Sequence, residues 1–375
     1  MKRRLLLNFS GWAIASLMLA GLAACSDFSF YWQAGWGQME ILHNRRLISE
    51  VLNDESIPTT TKQKLRVILD AQRFAARELA LPAEGHYRYY TDLGRPYVSW
   101  LVVAAQPLSM TEYKFCYPVV GCLGYRGYFE KEDADSLAGE LRGQGLDVLV
   151  RPVRAYSTLG WFDDPVLNTF LNDDDLVLAG TIFHEQSHRL IFLEGDTAFN
   201  ESFANFVEEE GVRRYLARTP RDSTARDSTV RDRTASMRRY AGKLAERRRF
   251  RAIVLRGRRR LTALYEDKIS DAEKRDRKAR LFDIMREDYR KERQSFKILN
   301  YDRWFSQPLN NAHMVGFSHY ALYVEAFRAL FQANGSDFKR FYKAVKELAS
   351  LPPEKRDARL KALEKKIARL PKRPN

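Results

Sequence analysis

Apolar residues recur at three- and four-residue spacing through "TKQKLRVILDAQRFAARELAL", where Leu65, Ile68, Leu69 and Phe74 form a stripe ahead of Pro82, and this periodicity predicts an amphipathic helix. The stretch before it, "FSFYWQAGWGQMEILHNRRLISEVL", begins aromatic and becomes helix-like. Between His86 and Val153 the pattern changes to short runs rich in Val, Tyr and Phe bounded by Gly and Pro ("YVSWLVVAAQPL", "GYRGYFE", "LDVLVRPV"), which predict strands. Among them "EKEDADSLAGELRGQG" predicts a short helix closed by glycine. The next helix is "NDDDLVLAGTIFHEQSHRLIFL", with Asn172 to Asp175 offering N-caps and negative charge where the helix dipole favours it. After a break at Glu194-Gly195-Asp196, "NESFANFVEEEGVRRYLA" predicts another helix.

Pro220 opens the polar, low-complexity "RDSTARDSTVRDRTAS", which predicts a loop. Residues 236–297 read as a long charged helical hairpin packed through Leu281, Phe282, Met285 and Tyr289. Residues 310–349 return to amphipathic helix, and the last twenty residues are charged, frayed or helical at the surface. The expected fold class is therefore α+β, predominantly α: a helical core, a small strand-rich subdomain and a long helical-hairpin insertion. With 375 residues, 45% of them hydrophobic, the chain can bury a substantial core, which excludes a disordered tail. No internal repeat or linker divides it, so one main domain with insertions is expected, its first part at 25–212, the insertion at 213–303 and its C-terminal part at 304–375.

The N-terminus has a separate logic. Lys2, Arg3 and Arg4 precede an uncharged span from Leu5 to Ala24 that ends in "LAGLAAC", the arrangement of an export signal over residues 1–24. A span of this length could also persist as a transmembrane anchor. "LAAC" resembles the lipobox of bacterial lipoproteins, which implies cleavage before Cys25 and acylation of its thiol; Ser26 in place of an inner-membrane retention Asp points to the outer membrane, facing the periplasm. The membrane is then a partner through lipidated Cys25. Of three cysteines this leaves Cys116 and Cys122, which in an oxidising compartment are expected to form a disulfide across a short loop.

Charge is unevenly spread. Residues 213–303 carry 30 Lys and Arg against 14 Asp and Glu, whereas residues 26–212 carry 16 against 28. The patch "RRRFRAIVLRGRRR" could be a solvated helix face or could hold an anionic partner. An exported protein meets anionic lipid first, so no nucleic acid is expected.

The chemistry-bearing stretch is "TIFHEQSHRL". On a helix His184 and His188 lie on one face and can direct their imidazoles at one metal, with Glu185 beside them near an open coordination position. Neutral imidazoles leave Zn²⁺ a strong Lewis acid, the metal lowers the pKa of its water, and the glutamate takes the proton. A third ligand is needed, and the following helix offers Glu201, 13 residues beyond His188 in sequence, or Glu208 on the same face. Both carboxylates also have ordinary structural explanations, Glu201 as a favourable first-turn charge.

At this point the chain resembles the bacterial predicted aminopeptidases of the glutamate-zincin type, through "GYRGYF", "AYSTLGWFDDPVLNTFL", "IFHEQSH", "DTAFNESFANFVEEEG" and "NNAHMVGFSHY" in that order. The resemblance implies a zincin-like core, one Zn²⁺ per chain held by His184, His188 and Glu201, Glu185 as catalytic base, and a peptide substrate. Gln186 and Ser187 stand where family helices tend to carry an apolar and a small residue. For the oxyanion, Tyr320, His313 or His319 are candidate donors. For the ammonium of an aminopeptidase substrate, Asp163, Asp164, Glu208 and Glu209 are candidates, and Asn310 or Asn311 could fix the peptide backbone or start a helix. The competing reading is a non-catalytic envelope scaffold whose basic hairpin binds anionic lipid or a partner protein. The sequence leaves substrate preference and oligomeric state open.

Overall fold

The computed structural model describes residues 29–82, 87–117, 121–155, 163–218, 228–318 and 322–368. The export signal, Cys25, His319 and Tyr320 lie outside them. The chain runs α1 (29–43), β1 (Arg46–Leu47), α2 (Ile48–Asn53), α3 (Thr59–Glu78), β2 (Tyr89–Thr91), β3 (Ser99–Ala105), β4 (Phe115–Tyr117), β5 (Gly121–Leu123), β6 (Arg126–Tyr128), α4 (Lys131–Gly143), β7 (Asp147–Val153) and β8 (Val166–Leu167). It continues as α5 (Asn168–Leu171), α6 (Asp175–Leu190), α7 (Thr197–Ala217), α8 (Ser228–Glu266), α9 (Asp271–Glu292), α10 (Asp302–Ser306), α11 (Asn311–Ser318), α12 (Val324–Ala333), α13 (Phe338–Ala349) and α14 (Pro353–Ala368). The class is α+β and predominantly α, as the periodicities imply.

The main core is helical. The stripe on α3 buries Leu65, Ile68 and Phe74 against α6 and α7, which contribute Leu178, Ile182, Phe183, Phe203, Phe206 and Val207. Phe183 of α6 sits 5.9 Å from the rings of both Phe74 and Tyr215. Gly211 of α7 permits this approach, because a Cβ there would stand 2.7 Å from Phe183 and 2.8 Å from Leu79.

The sheet β6-β3-β7 is antiparallel throughout, with β3 in the middle and Ser99 to Ala105 paired residue for residue with Val153 to Asp147. Its alternation separates two cores: Val102 and Ala104 meet Ala134, Ala138 and Leu141 of α4, while Val103 and Ala105 meet Ala312 and Val315 of α11. In the β4–β5 hairpin Cys116 pairs directly with Cys122, and the two are joined by a disulfide.

Several boundaries differ from the sequence reading. β1 and β8, two residues each, flank β2, which is antiparallel to the first and parallel to the second; runs this short carry no periodicity. α8 begins at Ser228, inside the stretch expected to be loop: its Arg and Ala residues are good helix formers, and polarity alone did not distinguish loop from solvated helix. The amphipathic stretch 310–349 holds three helices among its described residues. α7 begins at Thr197, capped by Asp196, whose carboxylate accepts the Phe199 N–H, so Glu201 falls beyond the first turn.

The hairpin α8–α9 builds a second core with α10 and α11 through Phe250, Ile253, Val254, Phe282, Met285, Tyr289, Phe305 and Met314. It also answers the charge asymmetry of the sequence. Lys243 pairs with Asp174, Arg247 with Glu208, Arg248 with Glu209 and Lys278 with Asp147, so basic residues of the hairpin meet acidic residues from earlier in the chain.

Candidate metal centre

Helix α6 turns Leu178, Ala179, Ile182 and Phe183 into the core, which leaves His184 and Glu185 on the side facing α7 and a cavity. The corner leading to α7 is held by Asn200, whose side-chain amide accepts from the Leu193 N–H at 2.8 Å and donates to the Leu193 carbonyl at 2.8 Å. Asp196 is gripped in turn by Arg356, at 2.8 and 3.1 Å. These contacts set the position of Glu201 one turn beyond the corner.

The two histidine Nε2 atoms are 3.3 Å apart. Glu201 Oε2 lies 3.4 Å from Nε2 of His184, and Oε1 lies 3.6 Å from Nε2 of His188. A tetrahedral zinc with bonds of about 2.0–2.1 Å spaces its ligands by about 3.3–3.4 Å, so these three groups fit such an ion. The fit is also chemical, since Glu201 Oε2 is buried without a hydrogen-bond partner. Glu208 stands on the other side of the ring. Its Oε2 faces the other ring nitrogen of His184, Nδ1, at 3.4 Å, and its Oε1 accepts from Arg247 at 3.2 Å. That is the position of a carboxylate that orients a ligand imidazole.

Burial and neighbouring charge together govern protonation in the cluster. Burial disfavours a proton on His184, but Glu201 and Glu208 outweigh it and hold its pKa well above the ordinary value. His188 is pushed down to about 4 by burial and by the charge of His184. Glu185 is pushed up to about 7 by burial, opposed by His184 and reinforced by Glu201, Asp164 and Glu208. Three carboxylates, Glu185, Glu201 and Glu208, act on the His184 imidazole and favour positive charge there.

His184, Glu185 and Glu208 open onto a cavity of about 400 Å³ whose far wall is formed by Arg247, Phe250 and Arg251 of α8, with Tyr301 and Phe317. Sequence reasoning missed this wall; only the basic, aromatic composition of "RRRFRAIVLR" hinted at it. It also missed Tyr87, a buried residue with φ of 57°, in the left-handed region. Burial and then the charges of Glu185 and Asp164 raise its phenol well above the usual range, which places it beside the site.

The other candidates are dispersed. Asp164 is buried, and its charge reaches Glu185, while Asp163 is exposed. Glu209 is tied to Arg248 and Arg328. Asn311 is fully buried and its side chain is spent on structure: its amide donates to the carbonyls of Gln106, Pro107 and Ser109, and its oxygen accepts from Tyr265 at 2.8 Å. It ties a loop to α11 and has no polar group left for a peptide. Asn310 donates to the Val148 carbonyl, and its oxygen is 2.9 Å from Nδ1 of His313, which lies against Trp304 rather than in the cavity.

Residues 29–360 match the model of a family described as putative aminopeptidase. No curated protein and no solved structure matches the chain.

Proposed function

The chain belongs to the putative aminopeptidase family, and from that premise and the geometry of α6 and α7 we propose that it is a zinc-dependent peptidase of aminopeptidase type. One observation carries the reading: His184, His188 and Glu201 bring three donor atoms within 4.8 Å of one another, beside a cavity that His184 and Glu185 line together. Two imidazoles and one carboxylate are the donor set of zinc sites whose fourth position serves substrate chemistry. Bound there, zinc supplies Lewis acidity to the attacking water and the peptide carbonyl. Glu185 takes a proton from that water as its oxygen adds to the carbonyl carbon, then delivers it to the departing amine nitrogen as the C–N bond breaks. Glu208 keeps the His184 ring in register. Asp163 and Asp164 remain the carboxylates offered to the substrate's ammonium, Asp164 being the one felt by Glu185. The scaffold reading is less well supported, because the basic hairpin walls the cavity and pairs with the preceding domain instead of standing apart.

The test is Glu185→Gln. Loss of amino-acyl arylamide hydrolysis with folding and metal content intact supports the role; hydrolysis at the wild-type rate sinks it.

We place the protein on the periplasmic side of the outer membrane, tethered through Cys25. Supporting this, α1, described from residue 29, exposes Trp32 (64%), Trp36 (70%) and Met39 (61%) along one face, a composition suited to a lipid interface. Labelled palmitate taken up by the wild type and not by Cys25→Ala checks the tether; equal uptake refutes it.

A further inference from the structure

The cavity beside the metal donors has a cationic wall whose two arginines are in different states. Arg247 is committed to Glu208 at 3.2 Å, and through it to His184. Arg251, one turn on along α8, lines the same cavity and has no hydrogen bond or ion pair among the described residues. The acidic groups whose charge reaches it are taken by others: Glu209 by Arg248 and Arg328, and Glu325 by Arg328 at 3.1 Å and Arg248 at 3.8 Å. Burial lowers its pKa, as do Arg248 and Arg247, against those carboxylates. A partly buried guanidinium without a partner is costly to maintain, and its planar fork matches a carboxylate in two-point contact. Beside it Phe250 stacks on Tyr301 with centroids 3.9 Å apart and planes 2° from parallel, giving a flat apolar wall next to the charge.

We infer that Arg251 receives a carboxylate of the peptide substrate, so that the enzyme selects acidic or very short peptides. The inference rests on the peptidase reading above. A cavity of about 400 Å³ admits only the residues next to the scissile bond, so the carboxylate belongs either to a neighbouring acidic side chain or to the free C-terminus of a dipeptide.

The two sources separate in a zinc-loaded assay that compares Ala-Ala with its amide, and Ala-Glu-Ala amide with Ala-Gln-Ala amide. In at least one pair kcat/KM favours the carboxylate about 10- to 100-fold, the range of a charge-assisted contact. Arg251→Gln brings that ratio toward one and Arg251→Lys leaves it intermediate, whereas the exposed Arg249→Gln keeps it. Calorimetric binding of the same peptides to the zinc-loaded Glu185→Gln protein reads the preference without turnover. Cleavage with no preference in either pair, or a preference that survives Arg251→Gln, overturns the inference and leaves the peptidase reading standing. Selective binding, lost in Arg251→Gln but without cleavage of any peptide by the wild type, upholds the carboxylate site and removes the peptidase reading.

Discussion

Glu208 approaches Nδ1 of His184 at 3.4 Å, on the ring edge opposite the nitrogen that faces Glu201. The two carboxylates of α7 therefore divide one imidazole between them, Glu201 joining its donor side and Glu208 holding its back. Glu208→Gln should fold normally yet bind zinc about 10- to 100-fold more weakly in a chelator competition, the usual effect of removing an orienting carboxylate. Complete loss of binding, as expected for Glu201→Ala, would instead make Glu208 a ligand.

The close approach of α6 and α7 depends on Gly211. A methyl there meets Phe183 and Leu79, both fully buried, at 2.7 and 2.8 Å. Gly211→Ala should lower the free energy of unfolding by about 1–3 kcal/mol, the range of core overpacking, measured by urea titration of metal-free protein. An unchanged midpoint would show that the two helices have room to separate.

Acid should destabilise the fold through Glu210. Burial opposes its charge, but the hydrogen bonds and charges of Arg213 and Arg214 prevail and hold its pKa below the ordinary 4.5. A carboxyl with a depressed folded-state pKa contributes stability that is fully present above about pH 4.5 and is lost as pH falls through the folded value. Denaturation midpoints between pH 6 and pH 3 should therefore fall less steeply in Glu210→Gln than in the wild type, and parallel curves would remove Glu210 from the account.

Much of the centre was legible because it is local. A spacing of four puts His184 and His188 on one helix face whatever the rest of the chain does. A short connection to a second amphipathic segment narrowed the third ligand to Glu201 or Glu208. Spacing alone left Glu208 as a rival, since residues seven apart share a face, and it was the family resemblance that favoured Glu201. The cavity wall was hidden for a related reason: Arg247, Arg251, Tyr301 and Phe317 reach it by packing across the hairpin, and helical periodicity carries no record of that contact. Asn311 misled in the opposite direction, because a buried loop tie and a peptide-binding amide use the same side chain.

The most direct test of the central claim is metal content by elemental mass spectrometry on the chain from Ser26 onward, beside His188→Ala. About one zinc per folded chain, absent from the variant, is the predicted result, in keeping with a three-donor protein site. Folded wild-type protein that takes up no metal when zinc is offered would contradict it.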